Sequence, residues 1–443
     1  MQRSDNYTLL TTASPSRVIP RLAVPAIISM LVTSIYNIVD TYFVGLINTQ
    51  ATAAVGVVFP VMSVLQAVGF YFGQGSGTYI SRELGAQRHD NASRMAATSL
   101  VSALVVGVLI TVAGLAMLEP LSLALGSTPT ILPYTKDYMG IILLGAPVMT
   151  CSMVLNNQMR FQGNATQSMY GMILGAALNV ALVPLFTFTL GMGIRGTAVG
   201  TVLSQVGGLA MLWAMTRRGD NIRIRFSQVS RSLTYQREML RGGSPSLSRQ
   251  GLACVSTLLL NVYAGTWGDA AIAGMSLVTR VSFIIIAVII GIGHGFQPFC
   301  GFNYGAGLYG RVKQGYFFAI KANMLFLLVS AVPMFIFAEP VIDLMRHDPD
   351  VVEVGAAALR WQMLTLPLAA VVMMSNMTLQ TSGRALGANV LAIARNGLFF
   401  IPVLIVLAHW LGLFGIEITQ AVSDVLSVML AVPVMVHYFR SLR

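Results

Sequence analysis

The chain has 443 residues, of which 55% are hydrophobic and 10% charged, and its mean hydropathy is +0.73. Soluble globular proteins carry roughly 25% charged residues, so this composition excludes a soluble enzyme, a disordered protein and an ordinary nucleic-acid binder. The formal charge of +11, from 27 basic and 16 acidic residues, reads as Lys and Arg gathered in the cytoplasmic loops of a membrane protein rather than as a nucleic-acid footprint.

The first twenty residues are polar and mixed and do not read as a signal peptide. A spanning helix needs about 20 largely apolar residues. Such runs fall near 18–46, 51–81, 95–118, 131–159, 166–190 and 194–216. After a polar stretch they resume near 240–265, 270–300, 314–338, 351–380, 386–410 and 413–438. The expected fold is therefore an all-α polytopic membrane protein with twelve transmembrane helices.

Charge placement supports the count independently. Basic residues recur in alternate connections: Arg17 and Arg21 at the start, then Arg82, Arg88 and Arg94, then Arg160, then seven arginines between 217 and 241. Arg311 with Lys313, Arg384, and Arg440 with Arg443 continue the series. The intervening connections carry Glu119 and Asp137, Asp269, and then Glu339, Asp343, Asp348, Asp350 and Glu353. The positive-inside rule then puts both termini in the cytoplasm. Cys151, Cys254 and Cys300 each lie inside an apolar run, with neither a disulfide framework nor metal-ligand spacing.

The chain repeats itself at an offset of 220. Pro25, Pro120, Pro129 and Pro147 meet Pro245, Pro340, Pro349 and Pro367, while Asn156 and Gly163 meet Asn376 and Gly383. Chance overlap of the prolines would give about 0.3 such pairs, so four mark a duplication. Each half holds six spans, an even number, so the halves share one orientation and form two pseudo-symmetric six-helix lobes. The expected divisions are 1–216 for the first lobe, 217–239 for a cytoplasmic basic linker and 240–443 for the second lobe. Two parallel bundles are the plan of an alternating-access transporter.

Several stretches then read together. In the first half these are Tyr36-Asn37-Ile38-Val39-Asp40 with Phe43-Val44-Gly45, Gly85-Ala86, Arg160-Phe161-Gln162-Gly163-Asn164, Leu178-Asn179 and Gly196 through Gln205. In the second they are Gly243-Ser244-Pro245 through Gly251, Gly293-His294-Gly295-Phe296-Gln297-Pro298 and Cys300 through Ala306. In order and spacing, over nearly the whole chain, these resemble the MATE (multidrug and toxic compound extrusion) family, its MepA-like bacterial branch in particular. The major facilitator superfamily also uses twelve spans, but its Gly-Asp-Arg signature is absent from 82–94.

Apart from Asp137 near the start of the fourth, Asp40 is the only acid within the first six runs. An ionised carboxylate at mid-membrane costs about 2.5–3.5 kcal/mol on insertion scales. Asp40 lies six residues before the outer end of its span, about 9 Å deep at 1.5 Å per residue; a helix-end Asp reaching interfacial water is the plainer alternative. Tyr36 sits one turn away on the same face. Counted the same way, Asn179 and Thr201 lie about 16 Å and 10 Å deep, so Asp40, Tyr36, Asn179 and Thr201 can share one polar pocket. The resemblance implies a cation-coupling role for Asp40 and Asn179; for Asn179 a plain helix–helix hydrogen bond is the alternative. Where many family members read Asn-x-x-x-Asp-Pro, this chain has Asn179 followed by Val183-Pro184. One carboxylate leaves a hard-cation cage short of anionic oxygens, which favours protons over sodium as the coupling ion.

Polar residues elsewhere in the spans, Asn37, Asn156, Gln205, Gln250 and Asn376, are candidates to line a substrate cavity. The second half holds Leu260 in place of Asp40, together with Arg249, Arg280, His294, Arg395 and Asp424. Buried Arg must pair, so Asp424 with one of these arginines is one reading and a second proton or substrate site is the other. The expected function is an antiporter of the bacterial cytoplasmic membrane that exports organic, cationic or amphipathic compounds against protons, without a metal or other cofactor. Its expected partners are small organic substrates and membrane lipids, with no nucleic acid, and it is expected to act as a monomer. The alternatives are sodium coupling, or a lipid-linked oligosaccharide flippase using the second-lobe arginines.

Overall fold

A computed structural model describes residues 3–218 and 221–442, without the side chains of residues 3–5 and Asn37. The side chain of Asn37, as a cavity candidate, and the terminal charge Arg443 thus lie outside the described part. Helices make up nearly all of the described chain, and no strand occurs among the described residues.

The long helices of the first half are α1 (Pro15–Gly45), α2 (Thr49–Gly85), α3 (His89–Ala116), α4 (Leu132–Leu144 continued by Ala146–Phe161), α5 (Ala165–Thr189) and α6 (Ile194–Thr216). Those of the second half are α7 (Leu233–Gly265), α8 (Asp269–Gly305), α9 (Tyr309–Ile336), α10 (Pro349–Thr381), α11 (Ala385–Leu411) and α12 (Leu413–Ser441). Ten are long and apolar enough to cross a membrane, and the bent α4 makes eleven. Helix α7 fills the seventh predicted place but is less apolar, because Ser244, Ser246, Ser248, Arg249 and Gln250 lie along it. It also begins earlier than the apolar run near 240, since Tyr235 and Met239, one turn apart, are both buried. Outward-turned apolar residues such as Leu325, Leu328 and Val329 on α9 form the face a lipid environment accepts.

The run near 131–159 reads as one span that Pro147 interrupts, and the structure bends it by 48° between Leu144 and Ala146. The cause is Pro147, which has no N–H to donate four residues back to Leu143. The Thr111 hydroxyl of α3 donates to that Leu143 carbonyl instead, at 2.6 Å, so this carbonyl keeps a partner in the apolar layer. Helices α5 and α11 each contain a π-helical turn, Leu185–Thr189 and Ala394–Leu398.

The duplication is structural. Helices α2 and α8 both have 37 residues, α3 and α9 both have 28, and each pair keeps the 220-residue offset. The turn after α2 places Gln87 at φ 59°, the one non-glycine with positive φ among the described residues; its counterpart after α8 is Gly307 at φ 74°. Gly193 before α6 and Gly412 before α12 adopt nearly the same backbone, φ 57° and ψ −136° against φ 61° and ψ −134°.

The chain packs as two compact units. One comprises residues up to Thr12 with Ile28–Gly243, the other Ala13–Ile27 with Ser244–Arg443. Helix α1 therefore changes unit after Ile27, and α7 after Gly243, close to Pro25 and Pro245. In the first unit the connection after α6 is tied down by Ile222 N–H donating to Gln162 Oε1 at 2.7 Å and by the Arg82–Glu238 ion pair at 2.8 Å.

Candidate functional site

The site is built in the first unit where α1, α5 and α6 meet. Helix α6 approaches α5 closely because Gly196 and Gly200 lack side chains. A Cβ at Gly200 would stand 2.8 Å from Val183 Cα, and one at Gly196 would stand 2.5 Å from the Phe186 backbone. Small residues at such a crossing let two backbones approach, and here they bring Thr201 opposite Asn179.

The Asn179 side-chain amide donates to Thr201 Oγ1 at 3.3 Å, and the Thr201 hydroxyl donates to Asp40 Oδ1 at 3.4 Å. Asp40 is 7% exposed, and Asn179 and Thr201 are fully buried. Tyr36, one turn before Asp40, lies close to Thr201 and Gln205. The structure thus brings together the four residues named from sequence, and adds Gln205 to them. Tyr138 of α4, fully buried in the apolar cluster of Leu65, Met139 and Ile142 with its hydroxyl against Met62 Sδ at 4.0 Å, lies near Asp40 and Tyr36. Sequence reasoning missed it, although a phenol inside an apolar run was the available signal.

Two features of this cluster bear on its chemistry. Both hydrogen bonds are long against the usual 2.7–3.2 Å range. Asp40 takes part in no ion pair among the described residues, and Asn179 Oδ1 is a buried acceptor with no partner among them. A buried carboxylate edged by an amide and two hydroxyls, with no fixed cation among the described residues, is suited to taking up and releasing a small cation.

The other candidates fall elsewhere. Asn156 donates to the Ser168 carbonyl at 3.1 Å, and its repeat mate Asn376 donates to the Ala388 carbonyl at 2.5 Å. Each asparagine joins α4 to α5 or α10 to α11 at equivalent positions. Asn376 also accepts from Arg249 Nη1 at 2.9 Å. Gln250 is half-buried.

In the second unit Asp424, with no exposed surface, pairs with Arg395: its Oδ1 accepts from Arg395 Nε at 2.8 Å and from Gln420 Nε2 at 3.0 Å. Arg249 and Arg280 are not its partners; Arg280 is exposed on α8, and His294 is buried in the same helix. No cluster of three or more metal-ligating side chains occurs among the described residues.

The family described as MatE matches over residues 25–185 and 245–434. The multidrug export protein MepA of Staphylococcus haemolyticus (strain JCSC1435) is 28% identical over 411 residues, covering 92% of this chain and 90% of that protein. Among solved structures, MATE in complex with MaL6 superposes with a TM-score of 0.93 at 27% identity, covering 99% of both chains. An outward-facing multidrug resistance MATE family transporter of the MOP superfamily gives 0.93 at 26% identity, covering 99% of this chain and 98% of its own.

Proposed function

The chain belongs to the MatE family, and on that footing we propose that it is a secondary antiporter that exports organic, cationic or amphipathic compounds in exchange for protons. The observation that carries the reading is Asp40, a buried carboxylate without an ion pair among the described residues, edged by Thr201, Asn179 and Tyr36. The relatives named multidrug export protein support export of drug-like compounds. The alternation of basic and acidic connections supports a bacterial cytoplasmic membrane with both termini inside. The cycle binds and releases, and makes no covalent bond.

In the cycle, ionised Asp40 favours the state that loads a cation, and protonation from outside favours release. Linkage makes this reciprocal: a proton that weakens substrate binding is itself bound more weakly, by the same factor, once substrate is present. A sodium-coupled cycle is the second reading, and the unpartnered Asn179 Oδ1 favours it. Against it, a hard cation gathers six or more oxygens, and this cluster offers one carboxylate.

The test is ethidium efflux from a pump-deficient bacterium expressing the wild type or Asp40→Asn. Efflux that collapses both with a protonophore and with Asp40→Asn supports the reading. Robust efflux by the Asn variant removes Asp40 from coupling. No efflux from wild type present in the membrane refutes export of this cation and turns attention to anionic lipids, which exposed Arg280 would suit.

A further inference from the structure

The two glycines of matching backbone, Gly193 and Gly412, fix a residue-by-residue register between α6 and α12. Eight residues on, Thr201 corresponds to Gln420, and twelve residues on, Gln205 corresponds to Asp424. On the preceding helices the 220-residue offset sets Gly175 against Arg395. The contacts agree with this register. In the first unit a Cβ at Gly175 would stand 3.6 Å from the Ser204 carbonyl oxygen; in the second, Ser423, the counterpart of Ser204, donates its hydroxyl to the Arg395 carbonyl at 2.6 Å.

The two units therefore place comparable polar clusters at the same point of the fold and complete them differently. In the first, the carboxylate comes from α1, the α5 position that matches Arg395 is Gly175, and the bonds are 3.3 and 3.4 Å long. In the second, α7 offers Leu260, the carboxylate has moved to α12 as Asp424, and α11 fills the glycine's place with a guanidinium 2.8 Å from it. Arg395 is the charged group facing Asp424; Gln420 and Thr365 are its neutral neighbours. A guanidinium stays protonated throughout, so this cation does not exchange.

We infer that the second unit contains a latent monovalent-cation site, equivalent by the internal repeat to the Asp40 cluster, which the side chain of Arg395 occupies as a tethered cation. Arg395 neutralises Asp424 in every state of the cycle and leaves proton exchange to Asp40, an assignment that rests on the proposed function. Removing the guanidinium opens the site: a buried carboxylate without its partner takes a proton or a small cation from solution.

Potentiometric titration of the purified protein in sodium-free detergent solution, over neutral and mildly acidic pH, tests this directly. Arg395→Met is expected to take up one proton more than the Arg395→Met/Asp424→Asn double variant, in which both charges are gone. Equal uptake overturns the inference. Asp424→Asn alone is expected to match the wild type; a loss of one proton there means that Asp424 titrates beside Arg395, which also overturns it and does not require the Arg395→Met protein to fold. In a second arm ethidium is added and released protons are counted with an indicator dye. Arg395→Met is expected to release one more proton per ethidium than the wild type, and an unchanged count contradicts an exchangeable site. If the wild type itself releases none, the proposed coupling at Asp40 fails, while the titration still decides the latent site.

Discussion

Thr201 stands between Asp40 and Asn179, accepting from the Asn179 amide at 3.3 Å and donating to Asp40 Oδ1 at 3.4 Å. A hydrogen bond to a charged group is worth about 1.5–3 kcal/mol. Thr201→Val is therefore expected to slow ethidium efflux by about tenfold or more, at unchanged membrane abundance, while Thr201→Ser keeps most of the rate. Equal rates for the Val and Ser variants would remove Thr201 from the site.

The approach of α6 to α5 depends on Gly200, where a Cβ would come within 2.8 Å of the Val183 backbone. Overpacking of this kind costs about 1–3 kcal/mol. Gly200→Ala is expected to lower the melting temperature of the purified protein and to impair efflux, because the spacing of Asn179 and Thr201 changes with it. Gly56→Ala, where an added Cβ meets nothing within 4 Å, serves as the control and is expected to change neither.

At the bend of α4 the Thr111 hydroxyl replaces the N–H that Pro147 lacks. Thr111→Val leaves the Leu143 carbonyl unpaired, an expected loss of about 1–3 kcal/mol. Pro147→Ala restores a backbone donor to that carbonyl, so the double variant is expected to recover part of the stability lost by Thr111→Val. Strict additivity in thermal unfolding of the two single variants and the double would contradict this account of the bend.

Gln87 occupies a left-handed turn that its counterpart Gly307 fills without strain. The left-handed backbone costs a side-chain-bearing residue about 1 kcal/mol. Gln87→Gly is expected to raise the thermal stability slightly and Gly307→Gln to lower it by a similar amount, with little change in efflux in either case. A destabilised Gln87→Gly protein would show that the Gln87 side chain contributes more than its backbone costs.

What the sequence discloses here follows from which physical constraints act on single residues. Apolar length is imposed locally by the bilayer, so the long helices are legible, and the shared prolines at 25 and 245 or 147 and 367 reveal the repeat. The break at Gly145 is not visible in hydropathy, because Pro147 is itself apolar; its cost appears only when the Leu143 carbonyl is followed to Thr111. Depth counting along α1, α5 and α6 brings Asp40, Asn179 and Thr201 to one region, since helical rise is nearly constant. Which way a polar side chain faces is another matter. Asn156 and Asn376 suit a cavity as well as a helix joint, and contact with Ser168 and Ala388 decides for the joint. Three arginines were equally open to Asp424; the π-helical turn at Ala394–Leu398 and the register of α11 on α12 select Arg395.

The central claim is that Asp40 couples substrate movement to protons. Its most direct measurement is ethidium transport in proteoliposomes driven by an imposed proton gradient, in sodium-free buffer, with wild type and Asp40→Asn compared at equal protein content. The account predicts gradient-driven transport by the wild type that added sodium does not change and that Asp40→Asn abolishes. Transport by Asp40→Asn at the wild-type rate, or wild-type transport that requires a sodium gradient, would contradict it.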